Sequence, residues 1–316
     1  MSNIPTISVL VIAYNAARTL TKALDSILCQ RFRDFELLII DDGSTDETLS
    51  LVKEYAERDK RIKWSQTFHQ GVAVARQKAL NWARGDYILF VDADDWIEPD
   101  TLKTLCSAAS KENAEIVICD FWIHTLHSTE LSIQDPCLEG NHSAVELFLT
   151  KLHGALWNKL IKRELFERYN IRFIPGLNCL EDLLVILKLV FNNIRITYVH
   201  KALYHYDKRA ASITNTWIDV PANQKVLFLD NALPLVQTPE ENRAFDNYVA
   251  LIAYGCIFSS KAVCPDYPSL FSSYQDRILA SGLSLKKKRL IRLYLKGIRL
   301  PLRPIKLLRI RFNRGF

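Results

Sequence analysis

Three long apolar runs, two of them ending in acids, constrain this chain more than any other feature. ISVLVIA (7–13), FELLIID (35–41) and DYILFVD (86–92) are continuous and rich in β-formers, and RIKWSQ (61–66) is a shorter strand-like run. Unbroken apolarity over so few residues is expected of strands buried on both faces. Helical spacing fills the gaps. Leu20, Leu24, Ile27 and Leu28 recur within 17–30. Thr45 is placed to cap a helix over 45–57 with Asp46 and Glu47 in its first turn, and 72–83 is rich in alanine. Strand–helix alternation predicts an α/β fold with a mainly parallel, Rossmann-like sheet and helices on both faces. Ligands of such sheets bind outside the carboxyl ends of the strands. Asp41, Asp42 and Asp92 fall at those ends, and Asp94 and Asp95 lie just beyond.

The pattern continues with a helix over 100–112 and a strand over 114–120. Residues 121–142 read as irregular. Helices follow near 143–151, 157–169 and 182–193, then a β-rich run at 195–206. Residues 220–280 read as mainly helical. The expected division is 1–214, with halves at about 1–120 and 121–214, then a helical region 215–283 and a tail 284–316. With 49% hydrophobic and 24% charged residues, the chain can bury a sizeable core. Seven scattered cysteines without a CxxC pair read as reduced thiols of the cytosol. The N-terminal stretch has no basic n-region and reads as no export signal, and no uncharged apolar run reaches 18 residues.

Three constellations carry chemistry. In IIDDGSTDET (39–48), Asp41 and Asp42 can accept hydrogen bonds from a ligand, or they form a solvated turn and helix cap. In VDADD (91–95), alternate carboxylates can share one hard cation that neutralises charge on a phosphate leaving group. The same letters also suit an acidic strand–helix loop. In NCLEDLLVILKLVF (178–191), Glu181 and Asp182 suit a general base or a helix N-terminus favoured by the dipole. In WNKLIKREL (157–165), Trp157 either packs a helix against the sheet or, with His153, lines an acceptor cleft. Histidines 124, 127, 142 and 200 show no ligand spacing.

Taken together, SVLVIAYNAARTLTKALDSILCQRFRDFELLIIDDGSTDET, GVAVARQKALNWARGDYILFVDADDWIEPDTL, WNKLIKRELFERYNIRF, LEDLLVILKL and YHYDKRAASIT resemble a bacterial family 2 glycosyltransferase. The resemblance runs from residue 7 to about 214. It implies a GT-A fold with a nucleotide-sugar half and an acceptor half. It also implies inverting transfer from a nucleotide-sugar, most often a UDP-sugar, with Mn²⁺ or Mg²⁺. By this resemblance Tyr14 and Asn15 lie against the nucleoside, and Asp41 or Asp42 binds the base. Arg76 stands near the nucleotide. Asp92 faces the ribose and shares the metal with Asp94, and Asp95 supports the loop or acceptor side. Asp182, beside Glu181, is the base, while Arg209 and Ser212 belong to a loop over the pyrophosphate. Ala13 stands where the family often has proline. Asp207 stands where it usually has arginine, which puts that loop's phosphate role in doubt.

The tail 284–316 holds twelve Lys or Arg and no acid. Removing those twelve from the chain's 41 leaves 29 against 35 acids, a balance of −6, so the global pI misleads about nucleic acid. Arg292, Lys296, Arg299, Arg303 and Lys306 recur at helical steps, with Ile291, Leu295, Ile298, Leu302 and Ile305 on another face and breaks expected at Pro301 and Pro304. This reads as an anchor for an anionic membrane surface, or as a solvated helix, with no nucleic-acid partner. The expectation is a cytoplasmic enzyme, peripheral on the inner face of the membrane. It would transfer sugar to a glycan or lipid-linked glycan in surface polysaccharide synthesis. The rivals are a sugar-phosphate nucleotidyltransferase, which should show a glycine-rich loop that AYNAARTL lacks, and a degenerate, non-catalytic nucleotide-sugar or lipid-binding protein.

Overall fold

The computed structural model describes residues 4–136, 143–208, 221–257 and 266–298. The chain divides into two compact units. One comprises Met1–Pro136 and Ala155–Arg209, the other Cys137–Gly154 and Ala210–Phe316. The segment before residue 155 therefore belongs with the later helices, a division that local periodicity does not reveal.

In chain order the elements begin β1 (Ile7–Ala13), α1 (Leu20–Leu28), β2 (Phe35–Asp41), α2 (Thr48–Arg58), β3 (Ile62–Gln66), α3 (Val72–Trp82) and β4 (Tyr87–Asp92). Next come β5 (Trp96–Ile97), α4 (Thr101–Lys111), β6 (Ile116–His124), β7 (Thr129–Ser132) and α5 (Ala144–Thr150). Then follow β8 (Lys159–Lys162), α6 (Glu164–Arg168), α7 (Glu181–Val190) and β9 (Ile196–Asp207). The first unit is one mixed sheet in the order β3-β2-β1-β4-β8-β6-β9-β5, with β7 alongside β6. β1 pairs in parallel with β2 and β4, β2 with β3, and β6 with β9. β8 runs antiparallel between β4 and β6. Every residue of β2 is buried, as its unbroken apolar run requires.

Three local expectations are corrected. Residues 157–169 form strand β8 and the short α6 rather than one helix. Leu160 and Ile161 are adjacent and both fully buried; the strand turns them to opposite faces of the sheet, where each finds a core. Residues 121–124 continue β6 because β7 and β9 supply partners on either side. Thr45 does not cap α2: its N–H and hydroxyl bond Asn15 Oδ1 instead, at 2.8 and 3.3 Å.

The second unit is helical. It holds α5, α8 (Ala222–Ala232), α9 (Pro239–Ile257), α10 (Tyr267–Phe271), α11 (Gln275–Ala280) and α12 (Leu285–Leu295). Ser143 Oγ caps α5 through Glu146 N–H at 3.0 Å. Phe228, Phe245 and Phe271 are fully buried, and the Arg277–Asp246 pair at 2.7 Å ties α11 to α9. No helix among the described residues is long and apolar enough to cross a membrane.

Candidate active site

The carboxyl ends of β1 and β2 are joined by side chains that bond to main chain. Asn15, in the left-handed region at φ 49°, donates its N–H to Ser44 Oγ at 2.9 Å. Ala16 N–H bonds Thr48 Oγ1 at 2.8 Å, and Ala17 N–H bonds Asp46 at 3.2 Å. Asp41 and Asp42 then diverge. Asp42 accepts from Thr67 Oγ1 (2.6 Å), Gln70 N–H (3.0 Å) and Gly71 N–H (2.9 Å). Its carboxylate builds the loop between β3 and α3. Asp41 is also fully buried, yet among the described residues only its Oδ2 is engaged, by Ser44 N–H at 3.2 Å, and Oδ1 has no hydrogen-bond partner. A buried carboxylate oxygen left unpaired is costly and marks a place for a donor. Beside it Tyr14, 45% exposed, stacks on His69 with centroids 3.9 Å apart.

The second centre lies where β4 ends. One oxygen from each of Asp92, Asp94 and Asp95 lies within 4.8 Å of the others. Asp95 is 1% exposed and accepts from Tyr204 Oη at 2.7 Å and Asp207 N–H at 2.8 Å. Burial, with the charges of Asp92 and Asp94 beside it, holds its carboxyl well above the usual carboxylate range. Tyr204 Oη also accepts from Asp92 N–H at 3.1 Å, so one buried phenol ties both acids. The half-buried Asp92 and Asp94 offer hard oxygen donors of the type that Mg²⁺ or Mn²⁺ takes, and the set fits such an ion.

Leu180 positions the third group. At φ 67° it occupies the left-handed region, unfavourable for a bulky residue by about 1–2 kcal/mol, and it turns the chain so that α7 opens on Glu181 and Asp182. Gly71 makes room for the segment before it, since a Cβ there would stand 2.4 Å from Asn178 Oδ1. Arg76, 6% exposed on α3, donates through Nη1 to both Glu181 and Asp182, and through Nη2 to Asp92 at 3.3 Å. Asp182 also accepts Leu156 N–H at 3.3 Å. Burial pushes Glu181 up to about 7 and raises Asp182, against the pull of Arg76. The three carboxylates together hold Arg76 above its ordinary value although burial opposes them.

The chain is similar to known proteins. Residues 8–169 match the model of glycosyl transferase family 2. EpsH of Bacillus subtilis is 32% identical over 257 residues, 77% of this chain and 72% of that one. The poly(ribitol-phosphate) beta-N-acetylglucosaminyltransferase TarS of Staphylococcus aureus is 28% identical over 203 residues, 63% of this chain and 35% of that one. The crystal structure of TarS 1–349 in complex with UDP-GlcNAc superposes with a TM-score of 0.64 at 22% identity, covering 92% of each chain. The mannosyltransferase PcManGT of Pyrobaculum calidifontis, in complex with GDP-Man and Mn²⁺, gives 0.57 at 19% identity over 95% and 82%.

This chain belongs to glycosyltransferase family 2.

The GT-A fold inferred from the resemblance is the fold observed. Within this glycosyltransferase the structure gathers Asp92, Asp94, Asp95, Arg76, Glu181 and Asp182 into one connected group. Arg209 and Ser212 lie outside the described residues. Two of the candidate side chains lie in the core. Arg76, expected near the nucleotide, is buried and donates to three carboxylates. Trp157, a candidate for the acceptor cleft, is 4% exposed, stacked on Tyr204 at 4.3 Å and edge-on to Phe121 at 4.6 Å. It supports the site from within the core. The departure at Asp207 leaves one contact intact, because that contact is made by main-chain N–H. Sequence reasoning passed over His69, Tyr204 and Lys159. His69 had a signal, since it follows β3 at the same sheet end as Asp42. Lys159 had none: its Nζ is fully buried and donates to Ala155 O and Asn158 Oδ1, each at 2.6 Å.

Proposed function

We propose that this glycosyltransferase moves a sugar from a UDP-sugar to a hydroxyl of a glycan or lipid-linked glycan in surface polysaccharide assembly, with inversion at the anomeric carbon. The observation that carries the reading is Arg76: a single guanidinium joins the helix-start pair to Asp92, so a proton acceptor and a diphosphate-side acid are held in fixed relation. The UDP-GlcNAc complex of the TarS structure supports the choice of donor.

In this account Asp41 Oδ1 accepts an N–H of the base, and Tyr14 with His69 offers the adjacent aromatic surface. Asn15 braces that wall through Thr45. Asp94, with Asp92, would hold Mn²⁺ or Mg²⁺, which offsets charge developing on the departing diphosphate. Asp95 braces the loop, and Arg209 and Ser212 serve the pyrophosphate side. Asp182 takes the proton of the acceptor hydroxyl. Burial raises its basicity, while Arg76 and Leu156 N–H fix the carboxylate's orientation. Attack from the face opposite the leaving group inverts the centre, and neither acid forms a bond to the sugar. Glu181 shares the proton load of Asp182.

The test is nucleotide release from UDP-, GDP- and CMP-sugars with Mn²⁺, for wild type beside Asp94→Ala and Asp182→Asn. UDP release from one donor, lost by on the order of 10²–10⁴-fold in Asp182→Asn and abolished in Asp94→Ala, is expected. Wild type that neither releases nor binds UDP with Mn²⁺ would overturn the reading.

A further inference from the structure

The C-terminal helix sorts its cations onto two sides. α12 buries Ile291 and Tyr294 within its own unit, and Tyr294 meets Tyr267 edge-on at 5.9 Å. Two lysines fold back with them. Lys287 Nζ lies 5.0 Å from the ring centroid of Tyr254, and Lys288 Nζ donates to Leu279 O at 2.7 Å. Lys286, Arg289, Arg292 and Lys296 are exposed. Steps of three, three and four residues set these four on one stripe of the helix, about 15 Å long at 1.5 Å per residue. Leu285 at one end is 74% exposed and Ile298 beyond the other is 46% exposed. No acid follows residue 283 in the sequence.

We propose that this stripe docks the protein on an anionic bilayer surface by charge, with the helix lying on the headgroups rather than inserted. Insertion of an amphipathic helix needs a free apolar face, and that face of α12 is spent on Ile291 and Tyr294. Four cations on a straight line match a plane of anionic headgroups, and the terminal Leu285 and Ile298 suit the same boundary. A nucleic acid fits less well, because the exposed Leu285 and Ile298 that flank the stripe meet apolar chains at a bilayer boundary and find no such partner along a phosphate backbone. The docking is independent of the sugar-transfer reading, so either can fail alone.

The experiment is sedimentation of the full chain with vesicles of phosphatidylcholine, with and without phosphatidylglycerol. Binding is expected only with phosphatidylglycerol and falls as salt rises toward a Debye length of about 3 Å at 1 M. Each of Lys286→Gln, Arg289→Gln, Arg292→Gln and Lys296→Gln weakens binding about fivefold, the equivalent of ~1 kcal/mol per basic residue. Lys287→Gln and Lys288→Gln leave binding unchanged. Equal binding to neutral vesicles, a quadruple variant that sediments like wild type, equal losses from the two inward lysines, or tighter binding to duplex DNA than to the anionic vesicles would each overturn the proposal.

Discussion

The acids at the strand ends and the acids at the start of α7 are the same residue types under opposite electrostatic regimes. Apart from Asp92, whose carboxylate accepts from Arg76, the strand-end acids Asp41, Asp42 and Asp95 receive main-chain N–H groups and hydroxyls. Those donors hold a carboxylate in place without cancelling its charge. Glu181 and Asp182 share a guanidinium. At the strand ends Asp41 Oδ1 is thus left open to an incoming N–H donor. The helix start carries its own counter-ion, and burial raises both of its carboxyls against that cation's pull. Position in an α/β sheet brings acids to the strand ends; pairing with a cation decides what they can do there.

Removing the shared cation breaks the contrast most severely. Arg76→Gln leaves three neighbouring carboxylates uncompensated, at a cost of about 3–5 kcal/mol, and urea midpoints should show it together with loss of nucleotide release. The strand-end acids should then separate under one substitution each. Asp42→Asn weakens a carboxylate that holds two N–H groups and a hydroxyl, lowering stability by about 1–3 kcal/mol. Asp41→Asn, whose Oδ1 has no partner to lose, should leave the midpoint nearly unchanged but weaken UDP binding roughly tenfold in calorimetry, a charge-assisted hydrogen bond.

Lys159 sharpens the helix-start side through pH. Burial pushes its ammonium down to about 7 from an ordinary 10.5. A lysine lowered on folding makes stability rise with pH between those values, because the unfolded chain binds more protons. The stability of wild type relative to Lys159→Met should therefore increase across that window, measured by urea unfolding; a constant difference would contradict the burial of a titrating ammonium. The smallest effect is a shift in the pH profile. Proton loss from the Glu181–Asp182 pair near 7 should set the acid limb of kcat/KM. Glu181→Gln, which removes one negative charge beside Asp182, should move that limb to lower pH by about one unit or less.

The sheet, its acidic strand ends and the start of α7 were legible because each rests on short-range pattern. ISVLVIA, FELLIID and YILFVD can be buried only as two-sided strands, and Asp41 and Asp92 follow from where the last two stop. KLIK was misread because four residues carry too little periodicity to separate strand from helix; the gap between β4 and β6 decided it. Likewise no local rule assigns residues 143–154 to the helical unit.

By itself the sequence determined the α/β alternation, the acids at the strand ends, the paired acids of α7 and the basic tail, all properties of residues near one another in the chain. Tertiary structure alone decided that Arg76 would face three carboxylates, two of them more than a hundred positions away, and that Asp42 would be saturated while Asp41 kept an orphaned oxygen. It also turned three cations of α12 and Lys296 at its end outward, and two inward. Those outcomes depend on which groups exclude water from one another, and burial converts equal charges into unequal chemistry.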